Sequence, residues 1–375
     1  MRALCVSYEG TEEVVQAEIK KILSSHSSEI SIEKAAVIFE VKSREDIFKL
    51  AYLGQSFMHV IELFDFFTLN DIDDFSDMKS DFSGIKDKKF KVSCLRLGSH
   101  NFSSQDVERE LGSVILDKVS AKVDLHEPEI IIFVYIYQDK AYIGFDHIGL
   151  DLSKRDYNVY PHSSSIKGPL AFAMLNFAEY SSRKTLLDPF CLSGTIPIEA
   201  AFYSTGFPIN YFRKSKFLFF RHGMVDELFF KSLDKEIPKK KLEIYGMDYN
   251  LPNVTASKHN AKMAELDKVI DFRRGDTRWL DLKFEEGSVD CIVTAPQRPR
   301  GQNITSLKKR IDEFFINAKE VLKKSGVIVI LENGLIANAA EKHGLNLAEN
   351  KEIRKGNSTA NILIYKVNND KIKTK

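Results

Sequence analysis

The segment Leu186-Leu187-Asp188-Pro189-Phe190-Cys191-Leu192-Ser193-Gly194-Thr195-Ile196-Pro197-Ile198-Glu199-Ala200-Ala201 constrains the chain more than any other. A short apolar run ends in an acid, a tight turn of small residues follows, and a helical pattern begins. A strand–turn–helix of this kind opens the ligand pocket of a doubly wound α/β sheet. Ser193 and Gly194 let the backbone come close to a ligand, and Thr195 suits a helix start. On spacing alone, an ordinary strand-to-helix turn of some α/β protein fits as well.

From residue 185 the pattern alternates strand and helix. Strands are expected at 185–187, 242–245, 270–273, 291–294 and 327–331, and helices at 196–203, 252–264, 308–322 and 337–343. A last strand at 361–367 suits a reversed hairpin at the edge of a mixed, seven-stranded, Rossmann-like sheet. The insert 207–241 is aromatic and basic, including Tyr211, Phe212, Arg213, Lys214, Phe217 and Phe219. It reads as a substrate flap or, equally, as a packed aromatic insert. The lysine-rich last ten residues read as a frayed tail.

The N-terminal part reads differently. A strand at 2–8, a helix at 11–24, short strands at 30–32 and 37–41 and a helix at 44–53 form a β-α-β-β-α order that suits a small ferredoxin-like sheet. A second α+β unit follows, with strands at 90–96, 129–138 and 140–145 and a helix at 104–118 capped by Ser103 or Ser104. The segment 151–168 is a linker in which Lys154, Arg155, Tyr157, Tyr160, His162 and Lys167 interleave charge with rings. Such a segment can touch phosphate and stack on a base, or it can be a solvated connector.

A chain of 375 residues fits two or three domains. A net charge of +1 means that no global basic field announces nucleic acid. The four cysteines, at 5, 94, 191 and 291, have no CxxC spacing. That argues against a zinc site or disulfide framework, calls for no metal, and points to a reducing cytoplasm. No apolar run is long enough for a membrane span, and the first residues lack the apolar stretch of a signal peptide.

The string Asp188-Pro189-Phe190-Cys191-x-Ser193-Gly194-Thr195-Ile196-Pro197-Ile198-Glu199-Ala200-Ala201 resembles the first motif of S-adenosylmethionine-dependent methyltransferases that act on amino groups of nucleic-acid bases. It is most similar to the tRNA guanine-N2 methyltransferases that carry a THUMP domain. Leu152 to Asn158, His162 and the helix 169–179 resemble that family's joint between THUMP and catalytic domains. Ala3 to Glu13, with Glu18-Ile19, resembles its N-terminal strand–turn–helix. The resemblance implies a ferredoxin-like domain at 1–58, a THUMP domain at 59–150, a linker at 151–168 and a Rossmann-like methyltransferase domain at 169–368.

It also implies roles for individual residues. The cofactor set is Asp188, Pro189, Phe190, Cys191, Ser193, Gly194, Thr195, Asp248, Tyr249, Asp276, Thr277 and Thr294. Asp248 ends a strand and would accept the cofactor's ribose hydroxyls, and Asp276 its adenine amino group. Each acid alone could instead be a cap or turn residue. For RNA, a tRNA by the resemblance, the set implied is Arg96, Lys154, Arg155, Tyr157, His162, Lys167, Arg213 and Arg300. Arg96, with Ser93, His100 and Asn101, falls on the THUMP surface expected to face RNA, where a merely solvated polar residue reads as well.

Two departures from the family pattern stand out. Leu192 occupies a position where the family usually has glycine. After the strand 291–294 the family has Asn or Asp, Pro, Pro and an aromatic, whereas this chain has Ala295-Pro296-Gln297-Arg298. In the family the polar side chain and the proline carbonyl accept the amine's hydrogens and aim its lone pair, and the aromatic stacks on the flipped base. Here the carbonyls of Ala295 and Pro296 remain, and Arg298 offers a planar guanidinium for stacking. The departures raise a rival reading, a catalytically silent homologue that binds RNA or a partner. A dinucleotide-dependent dehydrogenase is a third reading, disfavoured because the turn has one of the three expected glycines.

Overall fold

The computed structural model describes residues 1–24, 30–296, 304–332, 334, 336–355 and 358–367. The chain divides into two compact units: Met1–Leu152 with Asn210–Asp234 and Arg354–Ser358, and Ser153–Ile209 with Lys235–Ile353 and Thr359–Lys375.

The first unit is built on one eight-stranded sheet. Its elements are β1 (Arg2–Val6), α1 (Glu12–Leu23), β2 (Ile30–Glu33), β3 (Ala36–Glu40), α2 (Arg44–Leu53), β4 (His59–Thr68), β5 (Lys89–Leu97), α3 (Ser104–Lys118), β6 (Lys122–Val123), β7 (Ile130–Tyr137) and β8 (Lys140–Phe145). The strand order is β2-β3-β1-β4-β8-β7-β5-β6. Among the described residues of this sheet, only the β5–β7 and β5–β6 pairings are parallel. β7, IIIFVYIY, is made almost wholly of β-branched and aromatic residues, which fit a pleated buried surface. α3 starts at a capping box in which Ser103 and Asp106 satisfy each other's backbone N–H groups.

β4 begins at the expected division between the ferredoxin-like and THUMP parts. It pairs with β1 on one side and β8 on the other, so both parts share a sheet. Its sequence did not suggest a strand because a bulge between Leu63 and Asp65 interrupts the period-2 pattern.

The insert also belongs to this unit. Two short helices, Leu218–Arg221 and Glu227–Leu233, place Phe217, Phe219 and Phe230 in one core with Phe48, Leu50 and Tyr52 of α2. Phe48 and Phe219 stack with centroids 4.2 Å apart. The backbone N–H groups of Leu218 and Phe219 donate to the carbonyls of Ile148 and His147. Of the two readings of 207–241, a packed aromatic insert is the one that describes 210–234.

The second unit contains α4 (Gly168–Phe177), β9 (Leu186–Asp188), α5 (Thr195–Thr205), β10 (Ile244–Asp248), α6 (Leu251–Met263), β11 (Asp271–Arg274), β12 (Val289–Thr294), α7 (Ile304–Val321), β13 (Leu322–Leu331), α8 (Ala337–Lys342), β14 (Leu345–Lys355) and β15 (Ser358–Val367), the last two crossing the boundary between units. Its seven strands lie in the order β11-β10-β9-β12-β13-β15-β14. The first five are parallel, and β15 runs antiparallel to β13. This is the expected doubly wound sheet with a reversed hairpin at its edge. The order turns back between β9 and β12, the position at which such sheets bind ligands.

Candidate functional site

β9 is only three residues long and fully buried, and its last residue is Asp188. The chain then turns sharply through two left-handed positions on either side of Ser193: Leu192 at φ 50° and Gly194 at φ 83°. Gly194 is required sterically as well, since a Cβ there would lie 3.0 Å from both Phe272 and Ser257. The turn is held from outside. Leu192 N donates to Asp248 Oδ2 at 3.1 Å, Ser257 Oγ donates to the Leu192 carbonyl at 2.8 Å, and Asn260 Nδ2 donates to the Ser193 carbonyl at 3.0 Å. Ser257 and Asn260 were not anticipated. Both are fully buried polar residues on α6, and the signal in the sequence was two polar residues on the same face as Val254 and Ala261.

Three acids stand at or just beyond the carboxyl ends of the adjacent parallel strands β9, β10 and β11. Asp188 accepts from Thr294 Oγ1 at 2.6 Å and from Phe190 N. Burial pushes its carboxyl up to about 7, with the nearby Asp248 charge adding to the rise and the Thr294 and Phe190 hydrogen bonds opposing it. Asp248 accepts from Asn250 N at 2.9 Å as well as from Leu192. Asp276 accepts from the backbone N and the Nη2 of Arg278. Burial acts to raise its carboxyl, but the Arg278 hydrogen bonds and charge outweigh it and hold the group below its ordinary value.

Asp276 and Tyr249 line a cavity of about 300 Å³ together with Asn250, Arg278, Lys309 and Arg310. Among the described residues, the buried Oγ1 of Thr277 and Nε of Arg310 have no hydrogen-bond partner. Orphaned buried groups of this kind call for a ligand or solvent to satisfy them. Acceptors at three strand ends and orphaned donors beside them fit the hydroxyls, amino group and ring nitrogens of an adenosine. Pro189 and Cys191 are buried, and Phe190 meets Phe314 edge-on at 5.5 Å. Thr294 is buried at the end of β12, and Ala295 and Pro296, also buried, follow it. Arg298 and Arg300 lie outside the described residues.

The positions expected to meet RNA separate into two groups. Arg155, Tyr157 and Arg213 are corrected by the structure, because all three are buried. Arg155 Nε and Nη2 grip Glu199 at 2.8 and 3.2 Å, and Tyr157 donates to the same carboxylate at 2.8 Å. Arg213 donates to Asn210 Oδ1. Buried charges need partners inside the protein, and these have them. Lys154, His162 and Lys167 line a second cavity, whose wall also includes Arg155 and Tyr157. Arg96 is partly buried against His100 and the Phe102 ring.

Residues 155–361 match the family model described as RMKL-like, methyltransferase domain, more than half of the chain. The chain belongs to the RMKL-like methyltransferase family. Residues 76–146 of this methyltransferase match the THUMP domain. It is 33% identical over 278 residues to a protein of Methanocaldococcus jannaschii named tRNA (guanine(6)-N2)-methyltransferase, spanning 70% of this chain and 72% of that one. A protein of the same name from Archaeoglobus fulgidus is 30% identical over 76% of this chain and 72% of its own. A solved structure of a possible methylase from Clostridium difficile has the same fold, with a TM-score of 0.80 and 21% identity over 99% of both chains. The methyltransferase uses S-adenosylmethionine as its methyl donor. No helix among the described residues is long and apolar enough to cross a membrane.

Proposed function

We propose that this methyltransferase modifies the N2 amino group of a guanosine in tRNA, in the cytoplasm. The observation that carries the reading is the hydrogen bond from Thr294 to Asp188. It ties the end of β12 to the first acid of the cofactor site, so Ala295-Pro296 leave the sheet beside that site. The THUMP match and the names of the two archaeal relatives support tRNA and the guanine amine as the target. Four unpaired cysteines suit a reducing compartment.

The cofactor supplies an electrophilic methyl group. The residues of this chain have a mainly orienting task, because the guanine amine is a weak nucleophile whose lone pair is conjugated into the ring. Carbonyls at Ala295 and Pro296 accept the amine's hydrogens and localise that lone pair. Asp248 and Asp276 would hold the cofactor's polar groups, and Asp248 also fixes the turn through Leu192 N. The methylated amine is acidic and loses its proton to water, so no general base is required.

Calorimetric titration with S-adenosylhomocysteine and methyl transfer to an unmodified tRNA transcript test the reading. Asp248→Ala abolishes cofactor binding; retained affinity would remove the assignment of the pocket. A second reading, a homologue that binds RNA without transferring methyl, is favoured by one feature, the absence of a side-chain acceptor at Ala295. Loss of one positioned partner of a transition state commonly costs about 10²–10³ in rate. The triple change Ala295→Asn, Gln297→Pro, Arg298→Tyr raises methyl transfer if the wild-type loop is merely slow. Cofactor binding without transfer, unchanged by the triple variant, supports the silent reading.

A further inference from the structure

Thr294 closes β12 after the apolar run Cys291-Ile292-Val293. The backbone pairing of β12 with β9 stops at Ile292 and Leu187. On their other sides the same strands run further, β9 with β10 to the pair Asp188–Gly246 and β12 with β13 to the pair Thr294–Ile330. Side chains bridge the gap that this leaves, because Thr294 Oγ1 donates to Asp188 Oδ1 at 2.6 Å. That is the length of a hydroxyl bond to an ionised carboxyl. Thr294 is fully buried and Asp188 is 2% exposed. Thr294, expected to bind the cofactor itself, thus spends its one hydroxyl proton on an acid. Phe190 N donates to the same carboxyl oxygen at 3.2 Å. Among the described residues, no hydrogen bond falls on Oδ2. The titratable groups whose charge reaches this carboxyl are Asp248 at the end of β10 and Cys191 in the turn. Burial raises the carboxyl most, and the Thr294 hydrogen bond is the strongest influence in the other direction, ahead of Phe190 N.

We propose that Thr294 is a positioning residue that acts through Asp188: its hydroxyl keeps that carboxyl charged and held by Oδ1, leaving Oδ2 to a donor of the bound cofactor. The proposal rests on the reading of Asp188 as part of the cofactor site. A side chain that only filled space at the end of β12 would be replaceable by valine, which has the same shape. A hydroxyl that stabilises a buried charge is not replaceable in that way.

The experiment is calorimetric titration of the full chain with S-adenosylhomocysteine across a pH series, for wild type, Thr294→Val, Thr294→Ser and Asp188→Asn. The ligand's own titration is common to all four and cancels. In wild type, affinity falls as pH drops through the titration of Asp188. Thr294→Val is expected to move the start of that fall up by about one pH unit and to weaken binding near neutrality roughly tenfold, since the carboxyl loses a partner of its charged form. Thr294→Ser keeps the wild-type profile. Asp188→Asn gives a flat profile, and adding Thr294→Val to it changes nothing further. The double variant carries no buried charge at this position, so its comparison with Asp188→Asn decides the matter even if Thr294→Val alone does not fold. A weaker affinity in Thr294→Val with an unmoved profile, or a further loss in the double variant, overturns the proposal. A wild-type profile as flat as that of Asp188→Asn overturns the reading of Asp188 beneath it, and the proposal with it.

Discussion

Leu192 stands at φ 50°, a conformation that costs an L-residue about 1–2 kcal/mol. Two hydrogen bonds to its backbone, from Ser257 and to Asp248, hold it there. Glycine relieves that strain but adds chain entropy of about the same size when unfolded. Leu192→Gly is thus expected to change stability to urea by less than about 1 kcal/mol. Leu192→Val, branched at Cβ, fits a left-handed position worst and is expected to lose about 1–2 kcal/mol more than the glycine variant. Equal stabilities for the two variants would mean that the turn relaxes out of the left-handed region. Asp188 makes a pH-dependent prediction at the same scale. Its carboxyl is raised to about 7, so between the ordinary carboxyl range and neutrality the folded chain holds a proton that the unfolded chain has lost. Stability therefore falls as pH rises through that window. Asp188→Asn is expected to raise the melting temperature at pH 8 relative to wild type and to leave it nearly unchanged at pH 4, by calorimetry.

At the scale of elements, most of the parallel strands were legible because β9, β10, β12 and β13 each contain a short apolar run that stops abruptly, and β9 and β10 stop at an acid. β14, LNLAENKEIRK, was not legible, because its charges leave no apolar run to mark a strand. Pairing at the sheet's end, beside β15, makes it a strand. The linker misled in a different way. Lys154-Arg155 reads as a basic pair, but nothing local reveals that Arg155 meets Glu199 on α5, 44 residues further on. Both side chains of that pair are at most 2% exposed. Removing one partner leaves a buried, uncompensated charge, so Glu199→Ala is expected to cost about 3–5 kcal/mol in denaturant unfolding. Adding Arg155→Ala should recover part of that loss. A double variant as unstable as the sum of the singles would show that the two groups do not act as a pair.

At the scale of the molecule, a supply of 27 phenylalanines suits large aromatic cores but does not say which parts of the chain share them. Phe217, Phe219 and Phe230 pack with residues of α2 more than 160 positions earlier in the chain. An aromatic run announces burial without naming its partner, which is why the destination of the insert was open. Phe219, fully buried against Phe48, offers the test: Phe219→Ala is expected to destabilise the first unit by about 3–5 kcal/mol. Hydrogen exchange should show the loss in α2. Protection of α2 left at wild-type levels would place the insert outside that core.

The first unit is drawn from three separate stretches, ending at Ser358. During synthesis its sheet strands emerge early, but the phenyl rings that complete the α2 core arrive only once residue 230 has cleared the ribosome. The amino-terminal half must wait, with an apolar face uncovered, while much of the catalytic half is already being made. A chain threaded in this way cannot be cut at residue 152 into two self-sufficient pieces, so a transplanted copy of residues 1–152 should lean on chaperones or aggregate. The two halves of the protein are bound to mature together, as a single product of translation rather than as exchangeable cassettes.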